Sequence, residues 1–419
     1  MHGRRTRCQV IVLVGTLFAA EVASGDARLA TEWNQALLTV AEAEDSFLTL
    51  KGVRTAALLH LAMHDARQSK ASAVSTDAAS HAAFSVAKTL YPGQLKQWET
   101  LRDRWVSADA SDSERTAARE AGRAAAEAVL AARQDDGWDG EAEYQWHPMA
   151  PGVYAEFNEH SGTPEGFVFG SGWAQAQGFA LDRPLQFQVP PPPAIASAAY
   201  ARAFAEVKSL GRFQSIERTP EQTHIALWWK DFVENSHNRL ARDLIQREQL
   251  SLDAAIRLLA LLNMAVFDAY IASFANKFHF NHWRPYTAIR WAEHDGNAAT
   301  AQESTWTNTH QHTYAFPSYP SAHGTACAAA MTVLEDTFGA DYAFSMRTAM
   351  VDIGGPGSGK IEMHPPTRAF PSFSAAATEC GLSRVYLGIH FRYDSTAGVQ
   401  LGRQVGEHLL SKRLRAPSE

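Results

Sequence analysis

The feature that most constrains the fold of this chain is a segment that occurs twice. Residues 54–66 align with residues 257–269 at an offset of 203, and seven of the thirteen aligned residues are identical. Both copies carry apolar residues at three- and four-residue spacing, which predicts helices with buried faces. A segment that recurs in each half of a chain indicates two similar structural units. We therefore expect an all-α fold of two helical bundles related by an internal repeat, with long irregular loops.

Each copy of the repeat also carries one arginine and one aspartate. These are Arg54 and Asp65 in the first copy, and Arg257 and Asp268 in the second. Charged side chains are rarely buried in a helical core unless they are paired. We expect these four residues to form buried pairs that support the structure, and we do not expect them to be catalysts.

Helical spacing of apolar residues extends through the first third of the chain, over residues 31–43, 50–68 and 80–90. Ser111 opens a capping box with a glutamate three residues later, which begins an Ala-rich helix. Thr219, followed by Pro-Glu-Gln, is a second start signal of the same kind. These signals agree with a helical fold.

Residues 135–194 lack this periodicity and are rich in glycine and proline, ending in the proline run 190–193. Irregular segments of this length within a domain often cover a functional site. Eight aromatic residues between positions 138 and 173 are too many for a solvated linker. We expect a loop that packs over the protein body, with the proline run as a stiff connector.

The first 27 residues differ from the rest of the chain. Three arginines before position 8 are followed by an apolar run over residues 10–20 and then by small residues. This is the pattern of a secretory signal peptide, with cleavage between about residues 24 and 27. Roughly eleven apolar residues are too few to cross a bilayer, and we find no other stretch that is long and apolar enough. We expect an exported protein, secreted or periplasmic, without stable membrane insertion.

The composition of the 419 residues, 46% hydrophobic and 20% charged, is that of a globular enzyme. The net charge of −7 argues against nucleic acid as a partner, because a nucleic-acid-binding protein presents a basic surface. If this protein binds any anion, a local cluster of cations must hold it, because the chain as a whole is negatively charged.

We divide the chain into a signal peptide (1–27), an N-terminal helical half that includes the loop (28–194), and a C-terminal bundle (195–419).

Two motifs in the C-terminal bundle supply part of such a cluster. The first is Lys-x6-Arg-Pro, formed by Lys277, Arg284 and Pro285. Because a proline disfavours helical conformation at the preceding residue, we expect the chain to turn at Arg284. The second is Pro-Ser-x-His, in which Ser321 and His323 come directly before an Ala-rich helix. Such a turn brings a hydroxyl, backbone N–H groups and the positive end of the helix macrodipole to one point.

The third motif, residues 380–394, contains Ser383, Arg384, His390 and Asp394. If this segment is one helix, Ser383, His390 and Asp394 share a stripe, because offsets of seven and eleven residues lie close to whole helical turns. Asp394 then accepts a hydrogen bond from one ring nitrogen of His390 and leaves the other nitrogen free. Together the three motifs bring cations, two histidines and a helix N-terminus into one region, which predicts a site for a tetrahedral oxyanion.

Cys327 and Cys380 lie close in sequence to these motifs, and the only other cysteine, Cys8, belongs to the predicted signal peptide. In an oxidising compartment the two form a disulfide or stay as buried thiols. The sequence leaves both alternatives open.

The three motifs, in this order, resemble the signature of the superfamily that contains the type 2 phosphatidic acid phosphatases, the bacterial acid phosphatases and the vanadium-dependent haloperoxidases. The first half of the chain is similar to the bacterial haloperoxidase branch in its Trp33-Asn34 start, its PPPPAI connector and its Arg218-Thr-Pro-Glu-Gln222 helix start. The WRPYTAIR run after Lys277 is also similar. The resemblance covers nearly all of the mature chain and implies an all-α fold of two helical bundles.

The resemblance implies a role for each motif residue. Vanadate would be the cofactor, or phosphate the substrate, in the same site. The cofactor-binding residues would be Lys277, Arg284, Ser321, Ala322 and Arg384. The resemblance also implies that cations among them bind the equatorial oxygens. This agrees with elementary electrostatics, because fixed cations stabilise a five-coordinate oxyanion.

The catalytic residues implied by the resemblance are His323, His390 and Asp394. His390 would be the axial ligand of vanadium, or the phosphate-accepting nucleophile in a phosphatase. His323 would be the acid/base, and Asp394 would orient His390. Ser383 would support this arrangement structurally.

Two positions bear on the properties of this site. The superfamily usually has glycine where this chain has Ala322, and the added methyl group lies where the backbone is expected to approach the anion. Phe316 aligns with a position that is Phe in chloroperoxidase-like members and His in bromoperoxidase-like members. Phenylalanine there indicates an apolar halide pocket.

Three hypotheses follow. The first is a haloperoxidase that uses hydrogen peroxide to oxidise a halide, which then halogenates small organic acceptors. The second is a periplasmic acid phosphatase with a phosphohistidine at His390. The third is a non-catalytic oxyanion-binding protein. Vanadate and phosphate require the same ligands, so the sequence does not decide between the first two hypotheses. It also does not decide whether the protein forms an oligomer.

Residues 354–360 imitate a nucleotide-binding loop, but Ile361 occupies the position that requires Ser or Thr.

Overall fold

The computed structural model describes residues 26–46, 49–68, 75–155, 166–354 and 358–414. Nearly all of the predicted signal peptide lies outside these residues. Within them the chain forms thirteen α-helices and four short strands, which confirms the predicted all-α class. The domain boundary between residues 194 and 195 stays a prediction.

The first bundle is built around the first copy of the repeat. Helices α2, α3 and α5 pack against one another, and α1 and α4 pack against this group. The capping box at Ser111 is confirmed, since its hydroxyl accepts from the Glu114 N–H while the Glu114 carboxylate accepts from the Ser111 N–H. Helix α4 lies in the first third of the chain, which the sequence predicts to be helical, although no separate helix was predicted at residues 95–104. The five helices are α1 (Arg28–Asp45), α2 (Lys51–Gln68), α3 (Ser75–Leu90), α4 (Leu95–Arg104) and α5 (Asp112–Ala132).

Three helices connect the two bundles: α6 (Ala198–Leu210), α7 (Pro220–Trp228) and α8 (Val233–Arg247). The start signal at Thr219 is confirmed as the cap of α7, where Thr219 and Gln222 exchange side-chain to backbone hydrogen bonds.

The second bundle is built around the second copy of the repeat. Helix α9 packs against α11 and α13, and α12 packs against α11. Helix α9 also packs along α2, so the two copies of the repeat contact each other where the bundles meet. The helices are α9 (Leu252–Phe280), α10 (Pro285–Arg290), α11 (Ala322–Phe338), α12 (Phe373–Tyr386) and α13 (Arg392–Lys412).

Helix α9 corrects one expectation from the sequence. Its 29 residues have a window with a mean hydropathy of 1.7, so this helix is long and apolar enough to cross a membrane by length and composition. However, 94% of that window is buried inside the protein. The apolar surface of α9 is therefore covered by other helices of the bundles.

The charged residues of the repeat follow the expected pairing only in part. The Arg54 guanidinium is buried and lies 2.8 Å from the Asp136 carboxylate. Asp268 is buried, and no arginine of the described residues forms an ion pair with it. Its carboxylate instead accepts hydrogen bonds from backbone N–H groups of residues 179–181. Asp65 is exposed, and Arg257 is only partly buried. The prediction was wrong for these two because they lie at the rim of each helix's buried face.

The four strands form two antiparallel pairs between α11 and α12, which the sequence did not predict. Strand β1 (Phe344–Arg347) pairs with β4 (Thr367–Phe370), and β2 (Met350–Asp352) pairs with β3 (Lys360–Glu362). Residues 355–357 of the nucleotide-loop imitation lie outside the described residues. Lys360 lies in a strand, 3.1 Å from the Glu42 carboxylate, which agrees with setting that motif aside.

The described parts of the irregular segment 135–194 pack against the helical body. The Arg54 guanidinium stacks on Trp138, and the Tyr144 hydroxyl donates to Asn281 at the end of α9. Further along, the ring of Trp173 lies 4.7 Å from the ring of Phe274 on α9. The segment therefore forms one wall over the end of the second bundle.

Candidate active site

The third motif is not one helix. Helix α12 ends at Tyr386 and α13 begins at Arg392, so His390 lies in the intervening turn and Asp394 in the first turn of α13. Gly388 lies at this break and has a left-handed backbone conformation, with a φ of 79° that is incompatible with a continuous helix. Only glycine fits there, because a Cβ would lie 2.3 Å from the Gly211 carbonyl oxygen. The predicted helical stripe was therefore wrong.

The predicted contact between His390 and Asp394 is nevertheless present. The Nδ1 of His390 lies 2.9 Å from the Oδ2 of Asp394, and both side chains are buried. Asp394 also accepts from the Phe391 N–H at 3.1 Å and from the Ser318 hydroxyl. Because a carboxylate only accepts, the proton of the neutral ring lies on Nδ1 and the lone pair on Nε2.

Burial sets the protonation of this pair. Burial raises the pKa of Asp394 to about 7, against the opposing effect of the Ser318 hydroxyl and of the cation Lys277. Burial, together with the nearby cations Arg284 and Lys277, holds the pKa of His390 well below its ordinary value. His390 is therefore a neutral imidazole, and the lone pair of its Nε2 has one donor nearby, the Nη1 of Arg284 at 3.4 Å.

Lys277 comes from the last turn of α9 and is fully buried. Its Nζ donates to the carbonyl oxygens of Pro317, Ser318 and Pro320, at 3.0, 2.7 and 2.6 Å. Burial and the neighbouring cation Arg284 lower the pKa of Lys277. Lys277 thus holds the segment that leads into α11.

Arg284 follows a turn at the end of α9, as the sequence predicted. Asn281 has left-handed backbone conformation and Arg284 is extended before Pro285. The Arg284 guanidinium donates to the carbonyl oxygens of Phe316 (2.9 Å) and Ile389 (3.1 Å), and its Nη1 lies 3.4 Å from the Nε2 of His390. Burial lowers the pKa of Arg284 to about 10. This side chain joins the segment before α11 to the turn that carries His390.

Ser321 is the N-cap of α11, and its hydroxyl accepts from the Gly324 N–H at 3.3 Å. The Ser321 N–H donates to the Asp394 carbonyl oxygen at 3.0 Å, which ties the start of α11 to the start of α13. Two residues later, His323 is partly buried, and its Nε2 has no hydrogen-bond partner within the part of the chain that the structure describes. Burial and the nearby Arg384 hold the pKa of His323 well below its ordinary value.

Arg384 is buried near the end of α12. Its Nε donates to the Ser383 hydroxyl at 3.0 Å, and its guanidinium also donates to the Trp229 carbonyl oxygen. The Ser383 hydroxyl in turn donates to the Cys380 carbonyl oxygen at 2.6 Å. Ser383 therefore holds Arg384 in place, as expected for a supporting residue.

A cavity of about 420 Å³ lies in front of these groups. Four of the predicted residues line it: Ala322, His323, Arg384 and His390. Its remaining wall is mostly aromatic and contains Phe316, which agrees with the predicted apolar pocket. Lys277, Arg284, Ser321 and Asp394 are not among the lining residues. The structure thus brings all eight predicted residues into one region, in two layers.

Residues 257–417 match the family model described as the VCPO second helical-bundle domain. This range begins at the second copy of the repeat and includes all three motifs. This second bundle belongs to the vanadium haloperoxidase and type 2 phosphatidic acid phosphatase superfamily.

One curated member of this superfamily, the vanadium chloroperoxidase of Curvularia inaequalis, is 26% identical over 255 residues. The match covers 48% of this chain but only 41% of the relative's length. The structure of the first bacterial vanadium-dependent iodoperoxidase has a TM-score of 0.72 at 21% identity, covering 92% of this chain and 96% of that one. A holo-type bacterial vanadium-dependent chloroperoxidase has a TM-score of 0.65 at 18% identity, covering 86% and 91%. At these identities the structural likeness shows the fold.

The residues of this site fit an oxyanion. The neutral His390 offers the Nε2 lone pair, the orphaned Nε2 of His323 faces the same region, and Arg384 supplies a cation in the cavity wall. The N-terminus of α11 adds backbone N–H groups and its positive dipole end. Such a donor set suits vanadate or phosphate equally.

The departure from the superfamily at Ala322 is accommodated by the backbone. Ala322 is the first residue of α11, and it is absent from the positive-φ residues of the described chain. Position 322 therefore does not need the left-handed backbone conformation that favours glycine. Its methyl group lies in the cavity wall and is 8% exposed.

Sequence reasoning missed two residues of the site. Ser318, which bonds Asp394, lies within the Pro-rich run before Ser321, and its place in that motif was an available signal. Glu234, at the start of α8, lines the cavity but belongs to no motif. His312, near the motifs, also lines the cavity.

The two cysteines that the sequence left open are both free and buried. The Cys327 sulfur lies 3.1 Å from the Nε2 of His237. Of the two alternatives, the structure therefore shows the buried thiols.

Proposed function

We propose that this protein is an exported, vanadate-dependent haloperoxidase that oxidises a halide with hydrogen peroxide. The observation that carries the proposal is the neutral His390, whose Nδ1 is held 2.9 Å from Asp394 while its ring lines an aromatic-walled cavity. An imidazole oriented in this way is a ligand for the central atom of an oxyanion. The names of the relatives, a vanadium chloroperoxidase and a bacterial vanadium-dependent iodoperoxidase, support the activity.

In this proposal His390 would hold the central atom of vanadate, and Arg384 would bind its oxygens from the cavity wall. Lys277 and Arg284 add positive charge directly behind that wall. Ser321 and the N–H at Ala322 complete the cradle at the positive end of α11. Charges fixed in a region of low dielectric act more strongly than the same charges in water.

Bound vanadate would supply the Lewis acidity that activates peroxide toward a halide. Oxidation of a halide by peroxide to hypohalous acid and water takes up one proton. His323 is suited to hold and transfer that proton, because its Nε2 lies at the cavity wall without a partner among the described residues. The aromatic wall excludes water and offers an apolar surface for the halide and for small organic acceptors.

A periplasmic acid phosphatase is the second candidate, because one observation fits it as well. A neutral His390 held by Asp394 is also an oriented nucleophile for a phosphate ester, and His323 would protonate the leaving group. The aromatic cavity favours the haloperoxidase, since a phosphate ester needs no large apolar wall beside its anion. A non-catalytic oxyanion-binding protein is the third candidate.

Two parallel assays separate these functions. The mature chain is tested for oxidation of bromide, iodide and chloride with vanadate and peroxide, and for hydrolysis of a phosphate monoester without vanadate. We expect halide oxidation and little hydrolysis. Hydrolysis without halide oxidation would replace the first proposal by the second, and vanadate binding without either activity would support the third.

The matched variants are His390→Ala and His294→Ala. His294 is a half-exposed histidine outside the site, so its replacement controls for loss of an imidazole. We expect His390→Ala to abolish halide oxidation and His294→Ala to leave it unchanged. Equal activity of the two variants would show that the site is misplaced. Export is tested by the location and N-terminal sequence of the mature chain.

A further inference from the structure

Glu234 is a buried carboxyl group in the cavity wall that the functions above do not use. It lies in the first turn of α8, its side chain is only 3% exposed, and it lines the same cavity as His323, Arg384 and His390. Its Oε2 has no hydrogen-bond partner in the described part of the chain. A buried carboxylate oxygen without a partner is costly, so such groups are usually satisfied or protonated.

The surroundings of Glu234 contain groups of both signs. On α9 the Tyr270 hydroxyl donates to the carboxyl, and on its own helix His237 lies one turn further along. Asp231, in the segment before α8, and Asp45, at the end of α1, are the nearest other acids. From α11 and α12, His323 and Arg384 face the same cavity. No cation forms an ion pair with Glu234 within the described residues.

Burial is the main influence on this carboxyl, and it raises the pKa of Glu234 to about 7, against the smaller lowering by the Tyr270 hydroxyl. The group therefore changes from a neutral hydrogen-bond donor to an anion within the neutral pH range. In a small cavity built to receive anions, these two states have opposite effects. The O–H of the acid donates to an anion, whereas the carboxylate repels it.

We propose that Glu234 controls the entry of anions into the cavity: protonated, it donates a hydrogen bond to the anion, and ionised, it excludes anions. The proposal for Glu234 rests on the proposed function in one respect: it assumes that this cavity receives the oxyanion and the halide. Glu234 thereby sets the pH range in which the cavity takes up anions such as halide.

The test uses sulfate, a tetrahedral oxyanion whose own charge does not change in the neutral range. Its affinity for the full mature chain is measured by calorimetry between about pH 5.5 and 8.5. We expect the affinity of the wild type to fall by roughly tenfold more across this range than that of Glu234→Gln, which keeps the size and a donor but cannot ionise. Glu127→Gln removes an exposed glutamate and should follow the wild type.

A second variant keeps the proposal testable if Glu234→Gln folds poorly. Tyr270→Phe removes the hydroxyl that stabilises the Glu234 carboxylate, so the midpoint of the affinity change should move to higher pH. Identical pH dependence of the wild type, Glu234→Gln and Tyr270→Phe would overturn the proposal for Glu234 while leaving the oxyanion site intact. Absence of sulfate binding to the wild type at every pH would overturn the oxyanion site, and the Glu234 proposal with it.

Discussion

Two cations of the inner layer and two acid/base groups of the cavity wall differ in how far their polar atoms are satisfied. Behind the cavity wall, the Lys277 ammonium makes three contacts to backbone carbonyls, and the Arg284 guanidinium joins two segments. In the wall itself, the Nε2 of His323 and the Oε2 of Glu234 have no partners among the described residues. The inner layer is a scaffold that fixes the backbone, and the outer layer is left open to a ligand. The cations of the three motifs therefore have two different roles. Lys277 and Arg284 fix the backbone behind the cavity, whereas Arg384 lies in the cavity wall.

The sharpest test of this difference is the replacement of His323 by Ala. Removing a proton-transfer group typically lowers turnover by about 10²–10⁴-fold. Because the ring is only partly buried and its Nε2 bonds nothing in the described chain, the free energy of unfolding should change by about 1 kcal/mol or less. Halide oxidation and urea unfolding measure the two effects, with His294→Ala as the control. A large loss in the free energy of unfolding together with the loss of turnover would instead show that His323 has a structural role.

The scaffold makes the opposite prediction at Lys277. Replacement by Met keeps the length of the side chain but leaves three carbonyl oxygens without their donor, so we expect a loss of roughly 3–5 kcal/mol in the free energy of unfolding. Urea unfolding measures it. Lys96→Met removes an exposed lysine and should change the free energy by less than about 0.5 kcal/mol. Equal stability of the two variants would contradict a scaffold role for Lys277.

Glu234 predicts a pH dependence of stability. Its pKa is raised in the folded protein to about 7 from an ordinary value of 4.5, so the folded state binds more protons between these values. The free energy of unfolding contributed by this group is therefore lost as pH rises through this window, by up to about 3 kcal/mol. Unfolding at about pH 5 and 8 should show a loss in the wild type and in Glu127→Gln that exceeds the loss in Glu234→Gln by up to about 3 kcal/mol, because the pKa of Asp394 is also raised to about 7 and its contribution is common to all three proteins. A loss of equal size in Glu234→Gln would assign it to another group.

The smallest effect is expected at Ala322. Glycine at this position restores the usual residue of the superfamily, but Ala322 is helical, so no strain is relieved. We expect Ala322→Gly to lower the free energy of unfolding by about 0.5–1 kcal/mol and to change sulfate affinity by less than about threefold. A gain of tenfold or more in affinity would mean that the methyl group obstructs the anion.

The eight residues that the sequence predicted for the site lie in one region of the structure, and each belongs to a short motif with fixed spacing. The sequence could not predict that Lys277 and Arg284 lie behind the cavity wall, because this depends on where the segment before α11 folds. It also failed at residues 380–394. Ser383, His390 and Asp394 have helical spacing, but the turn at Gly388 rests on a close approach to Gly211, which lies far away in sequence.

The helices were predicted from periodicity and capping signals that act locally, and α2, α5 and α7 begin close to where those signals lie. The four strands were missed because runs of three or four residues carry too little alternation. Glu234 had no local signal at all, since only the packing of α8 against α9 and α11 brings it to the cavity.

The most direct test of the central claim, that the open side of His390 receives an oxyanion, is vanadate binding at equilibrium. Dialysis of the mature chain against vanadate measures the amount bound by the wild type, His390→Ala and His294→Ala. We predict one vanadate per chain for the wild type and for His294→Ala, and an affinity at least about 100-fold weaker for His390→Ala. Equal binding by His390→Ala and the wild type would contradict the claim.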